Sequence, residues 1–240
     1  MKFLVEAHEI FGHLVPAHDF GYSYLEVADY HNWTTQSQCD DVLFLKNTQF
    51  PQECLTKDCV PVGSLDFCLA WYRQMGVYSI PPLNIPEFLD PLVKRRIFRG
   101  TFTAAEGRCF GKSMITIKSD RNGWYTEYHD SEPMQFTSEV KNICSEWRLF
   151  VCNGKILGMK CYTGQACFPP DIGYCKEVVD AVYKHGGLRA YTLDVMVLKD
   201  GVTDILELHD FFACGLYGFS DPVALRRMAI LTQRRLLGGF

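Results

Sequence analysis

The stretch YTLDVMVLKDGVTDILELHD, residues 191–210, constrains this chain more than any other, because its turn chemistry and alternation together specify a register. Two runs rich in Val, Leu, Ile and Thr flank Asp200-Gly201. An Asp-Gly pair between strand-like runs favours a two-residue type I′ turn, whose central positions both require positive φ. Counting outward from that turn sets Asp194 directly opposite Glu207 in a β-hairpin. Side chains alternate along a strand, so the face carrying the two acids also carries Thr192, Met196, Ile205 and His209.

Directly opposed residues have Cβ atoms about 4.5–5.5 Å apart, and like charges placed so are destabilising. Two arrangements offset the repulsion. One is a divalent cation held by the carboxylates, with water and phosphate completing its shell, which is the usual environment of magnesium. The other is neutralisation of one acid by an unrelated Lys or Arg. Apolar flanks on both strands favour the metal. On that view Asp194→Asn or Glu207→Gln leaves stability equal or higher while removing metal-dependent binding.

A chain of 240 residues can bury the core of one large domain or two small ones. With 48% hydrophobic and 22% charged residues it has the composition of an ordinary globular protein. A net charge of −4 argues against a general binder of nucleic acid or anionic membranes. The N-terminal apolar run is interrupted by Glu6 and His8, too early for a signal peptide or a membrane span. The eleven cysteines are odd in number, scattered, and without CxxC or zinc spacing. They suit reduced thiols of a cytoplasmic protein.

Residues 1–92 read as a small α/β region. MKFLV and DDVLFLKN are strands, and a helix capped by Ser64 runs from there toward Gly76. Four prolines between residues 79 and 91 form a connection. A second hairpin is expected around SDRNG, with Lys118 closing the strand MITIK. Lys118 there is either a solvated residue paired with Glu127, which local sequence favours, or a phosphate-binding point charge beside a turn-rich loop. Residues 134–143 read as a strand leading past Glu139-Val140 into a linker. A third hairpin, SEWRLFV-NG-KILGMKCY, puts Arg148 opposite Met159 and Glu146 opposite Cys161. Glu146 and Arg148 share a face, as a local ion pair or as a phosphate fork steadied by its carboxylate. A helix over residues 173–185 and a basic amphipathic helix over 222–237 complete the chain, the arginines of the latter forming its solvated face.

Three pieces in this order, the strand 114–118, SEV with SEWRLFV at 138–151, and YTLDVMVL…ILELHDFFACGLYG at 191–218, resemble a divergent ATP-grasp group. That group is found largely in bacteriophage and bacterial genomes and is related to the eukaryotic cell-division-cycle family that helps assemble a translation initiation factor. The resemblance implies an α+β ATP-grasp fold, two lobes sandwiching nucleotide, at residues 93–140 and 141–240. It implies that Lys118 contacts ATP phosphates, that Glu139 and Val140 lie at the interlobe hinge beside adenine, and that Arg148 meets phosphate or the reacting carboxylate with Glu146 in support. Asp194 and Glu207 would hold Mg2+. His209 stands where the group usually has Asn, a softer ligand that also suits Mn2+. No second phosphate lysine is obvious among Lys112, Arg96 and Arg121. The activity implied is a ligase that uses Mg-ATP to turn a carboxylate into an acyl phosphate for attack by an amine, with a peptide or protein as acceptor. The alternative is a non-catalytic ATP-binding assembly chaperone or phage effector.

Overall fold

The structure is a computed structural model describing residues 1–103 and 107–238. It divides into two compact units, Met1–Ser79 with Phe211–Phe240, and Ile80–Asp210.

In the first unit β1 (Lys2–Ile10) pairs antiparallel with β2 (His13–Pro16), and α1 (Asp19–Thr35) leads to β3 (Asp41–Leu45). Next come β4 (Cys59–Val62) and α2 (Leu65–Gln74). β3 and β4 flank β1 in parallel. Parallel strands are covered on both faces, which is why Phe3, Leu4 and Val5 run consecutively in the core. The helix expected after Gly63 forms because Ser64 accepts the Phe67 N–H at 3.2 Å, and it stops before Gly76 at φ +87°. α1 was not legible: it buries only Gly21, Tyr24, Val27 and Ala28, too few for a recognisable apolar stripe.

The second unit holds two four-stranded sheets. β5 (Ile97–Arg99), β6 (Cys109–Ser113), β7 (Gly123–Tyr125) and β8 (Met134–Ser138) pair in the order β5-β8-β6-β7. β9 (Ile143–Cys152), β10 (Lys155–Gly164), β11 (Ala190–Leu198) and β12 (Thr203–Asp210) pair in the order β10-β9-β11-β12, with α3 (Ile172–His185) before β11. Val178, Val179 and Val182 of α3 pack on Trp147, Leu149, Leu193 and Val195, burying one face of the second sheet. The opposite face is left to Glu146, Arg148, Asp194 and Glu207.

The hairpin β11–β12 carries Asp194 opposite Glu207 as expected, by a different route. Its turn is one residue longer: Leu198 N–H donates to Val202, Gly201 N–H to Leu198, and the ladder begins at Val197↔Thr203. A bulge between Ile205 and Glu207 then restores the register at the acids. Ile205 consequently faces the core beside Val195 instead of sharing the acid face. In β9–β10 the Asn153-Gly154 turn has both φ values positive, as expected. Two bulges further on set Arg148 opposite Lys160 and Glu146 opposite Thr163, correcting Met159 and Cys161.

The strand expected to end at Lys118 ends instead at Ser113. Its hydroxyl accepts the Ile115 and Thr116 N–H groups and its own N–H goes to Asn122, so side chains take over the ladder bonds. Lys118 is exposed in the connection at φ +51°.

The last helix, α4 (Pro222–Leu236), departs from the expected 141–240 lobe and joins the first unit. It buries Leu225, Met228 and Ala229, and Arg226, read as solvated, forks onto Asp40 through Nε at 2.5 Å and Nη2 at 2.9 Å. Among the described residues no helix is long and apolar enough to cross a membrane.

Candidate functional site

Three adjacent strands place Arg148, Asp194 and Glu207 in one cross-strand row, since Asp194 pairs with Arg148 on one side and Glu207 on the other. The buried Arg148 guanidinium grips Asp194 bidentately, Nε to Oδ1 at 2.8 Å and Nη2 to Oδ2 at 2.7 Å. Glu207 is held from two sides. Lys112 of β6 donates to its Oε2, and His209 Nε2 lies 2.6 Å from its Oε1. All four carboxylate oxygens therefore face a nitrogen donor.

The repulsion inferred from the hairpin is thus offset by protein cations. Arg148 and Lys112 are not unrelated to the site, however; one arrives by strand pairing and the other from the facing sheet. One ligand atom from each of Asp194, Glu207 and His209 lies within 4.8 Å of the others, a spacing that suits one cation. Two carboxylates are the hard-oxygen donors that magnesium takes, so the donor set fits once the two side-chain cations turn away.

Burial of the Glu207 carboxyl works to raise its pKa, but the His209 hydrogen bond and the Lys112 charge outweigh it and hold the group well below the usual 4.5. The folded chain then binds this proton more weakly than the unfolded chain. Glu207 accordingly stabilises the fold above about pH 4.5, and that contribution is lost as pH falls below it. Acid titrations of melting temperature should be less steep for Glu207→Gln than for wild type; equal slopes would remove the assignment.

A cleft in this unit is lined by Lys112, Glu207, Glu146, Tyr162, Val140 and Trp124. Burial first, then the charges of Asp194 and Glu146, push the Tyr162 hydroxyl up, keeping it a donor to Glu146. Trp124 meets Phe110 edge-on at 5.2 Å and carries the Arg108 guanidinium over its ring at 4.7 Å. Of the residues singled out in the sequence, Glu146, Val140 and Glu207 line the cleft, while Arg148, Asp194 and His209 join it through Glu207 and the row. Glu139 turns to Arg108, 3.3 Å away, and Lys118 lies outside the lining. The sequence leaves Arg148 as either the ion-pair partner of Glu146 or a phosphate fork; in the structure its guanidinium fork is set on Asp194.

Lys112 is one of the three cations, with Arg96 and Arg121, that the sequence left unranked. Cys109, Gly111 and Ser113 are buried and alternate with Phe110 and Lys112, a period-two signal that would have aimed Lys112 toward the cleft. A Cβ on Gly111 would come within 2.6 Å of the Phe136 ring, so this strand sits tight on β8. Tyr162 and Trp124 gave no sequence signal beyond their strands.

The family model described as ATP-grasp domain, R2K clade family 2, matches residues 84–226. Comparison with curated proteins yields no match. Among solved structures, the chain is similar to a RimK domain protein ATP-grasp from Sphaerobacter thermophilus, with TM-score 0.58 and 11% identity over 97% of this chain and 99% of that one. It is similar to the D-cycloserine synthetase DcsG, with TM-score 0.55 and 12% identity over 98% and 100%. A D-alanine--D-alanine ligase from Bacillus anthracis complexed with ATP gives TM-score 0.51 and 12% identity over 99% of both chains.

Proposed function

The chain belongs to family 2 of the R2K clade of ATP-grasp domains, and from that premise we propose that it is an ATP-dependent ligase joining a carboxylate to an amine. The observation that carries the reading is the charge arrangement. Two cations suited to phosphate, Arg148 and Lys112, are each closed on a carboxylate suited to a divalent metal. Nucleotide binding exchanges these partners. Lys112 and Arg148 turn to phosphate oxygens, and Asp194 and Glu207, with His209 beside them, become available to Mg2+. That ion, when bound, neutralises phosphate charge. Lys118 adds only a solvent-screened charge from the exposed β6–β7 connection, and Glu139-Val140 with Trp124 flank the base.

The substrate carboxylate oxygen attacks the γ-phosphorus, the bond to the β–γ bridging oxygen breaks, and ADP leaves. The resulting acyl phosphate loses inorganic phosphate when the amine attacks its carbonyl carbon and gives up a proton. This chain contributes positioning and charge: Arg148 beside the reacting oxygens, Lys112 on the phosphates, Tyr162 fixing Glu146. The resemblance to the ATP-grasp group points the acceptor toward a peptide or protein.

ATP with magnesium should raise the melting temperature of the wild type; at about 100 times its dissociation constant a ligand adds about 2.7 kcal/mol. Glu207→Gln should lose the magnesium-dependent part. No shift with any nucleotide would overturn the reading. His209 favours a second version, a non-catalytic ATP-binding protein, because imidazole is a softer ligand than the oxygen magnesium prefers. Tight Mg-ATP binding without ADP release, across amine and carboxylate pools, would decide for that version.

A further inference from the structure

The first unit carries a second convergence of ligand atoms that the nucleotide site does not use. At the end of α1 and the start of β3, His31 Nδ1 lies 3.1 Å from Cys39 Sγ and 3.2 Å from Asp40 Oδ2. One atom from each of the three lies within 4.8 Å of the others. A single ring nitrogen thus faces a thiol and a carboxylate together. We propose that His31, Cys39 and Asp40 form a binding site for a borderline-soft divalent cation of the zinc type, with solvent completing the shell.

The donor chemistry is thiolate, imidazole and carboxylate, which zinc takes in tetrahedral geometry with Zn–S about 2.3 Å and Zn–N or Zn–O about 2.0–2.2 Å. Those bond lengths place nitrogen about 3.6 Å from sulfur and about 3.4 Å from oxygen. The present separations are a few tenths of an ångström shorter, so a cation enters by a small opening of the cluster.

The backbone already fixes the ligands, independently of their mutual contacts. Asn32, next to His31 on α1, accepts the Cys39 and Asp40 N–H groups on Oδ1 at 3.0 and 2.8 Å, and its Nδ2 donates to the Asp40 carbonyl at 2.8 Å. This clamp ties the Cys39-Asp40 turn to the helix. Arg226 Nε donates to the same Asp40 Oδ2 at 2.5 Å, leaving that oxygen's second lone pair for the ion, and Arg226 Nη2 and the Met1 ammonium hold Oδ1. Ligating carboxylates are ordinarily hydrogen-bonded by such outer partners. Their positive charge also sets the affinity below that of a closed structural zinc site. Cys39 is exposed and the His31 side chain is 25% exposed, so the ion has a path from solvent.

The proposal is independent of the nucleotide reading, and a thiolate signal separates the two sites because Asp194, Glu207 and His209 supply no sulfur. The reduced, EDTA-treated full chain is titrated with Cd2+, following the ultraviolet thiolate-to-metal band, and the ion is then displaced with Zn2+. One equivalent should bind with the band in wild type and in Glu207→Gln. Cys39→Ser should lose the band, and His31→Gln should keep it with at least tenfold weaker affinity. A band that survives in Cys39→Ser, or an unchanged affinity in His31→Gln, would overturn the site. Melts in EDTA check that the variants fold; if His31→Gln does not, Cys39→Ala carries the test by the same loss of band and affinity.

Discussion

Asp194→Asn is expected to destabilise the protein by about 3–5 kcal/mol, the usual cost of removing one partner from a buried ion pair. Arg148 is 7% exposed and Asp194 2%, and their contact is a two-point fork between neighbouring strands. The amide cannot compensate the guanidinium charge, which stays away from water in the middle of a sheet. For a chain of this size each kcal/mol lowers the melting temperature by about 2–4 °C, so a fall of roughly 10 °C should appear. The sequence, seeing only two opposed acids, predicts the reverse sign. Urea unfolding decides between them through the shift in midpoint at constant m. Replacing both partners by apolar residues of similar size, Arg148→Met with Asp194→Leu, should recover most of the loss, because a buried pair often contributes little net stability over a hydrophobic isostere. A double variant as unstable as Asp194→Asn would show that the cost lies elsewhere than in the uncompensated charge.

Lys112→Ala should weaken ATP by roughly ten- to a hundredfold, as a hydrogen bond to a charged group contributes about 1.5–3 kcal/mol and 1.4 kcal/mol is tenfold. Adenosine, which lacks phosphate, should bind as before. The same substitution takes a cation off Glu207 Oε2, so Mn2+ in the absence of nucleotide should bind more tightly. Opposite signs for nucleotide and metal are the signature of partner exchange. A lysine that merely braced the fold would weaken both. Lys118→Ala, on an exposed connection, should change ATP affinity by less than about threefold. Calorimetric titration of the two variants with ATP, adenosine and Mn2+ makes the comparison. A larger effect at Lys118 than at Lys112 would return the principal phosphate contact to Lys118.

Both results turn on how far the chain could be read without its fold. The hairpin at residues 191–210 was legible because its signals are local: alternation with period two, and an Asp-Gly turn. Even so, the acids face each other through two one-residue departures that cancel, a longer turn and a bulge. Ile205 lies between those departures and went to the other face. The helix capped by Ser64 was legible for the same reason, a capping side chain before an amphipathic run; the caps that Asp171 and Asp221 give the last two helices emerged only with the structure. α1, with few apolar residues on its buried side, was not legible.

The amino-acid sequence by itself determined the Ser64 cap, the Asn153-Gly154 turn and the pairing of Asp194 with Glu207, all of which follow from interactions within a few residues of a turn or a helix end. The tertiary structure alone decided which cations meet those acids. Arg148 and Asp194 are 46 residues apart, Lys112 and Glu207 are 95 apart, and Arg226 reaches Asp40 across 186. No local period encodes such pairs. They are set by which strands lie side by side, which sheet faces which, and where burial leaves a charge no water to turn to.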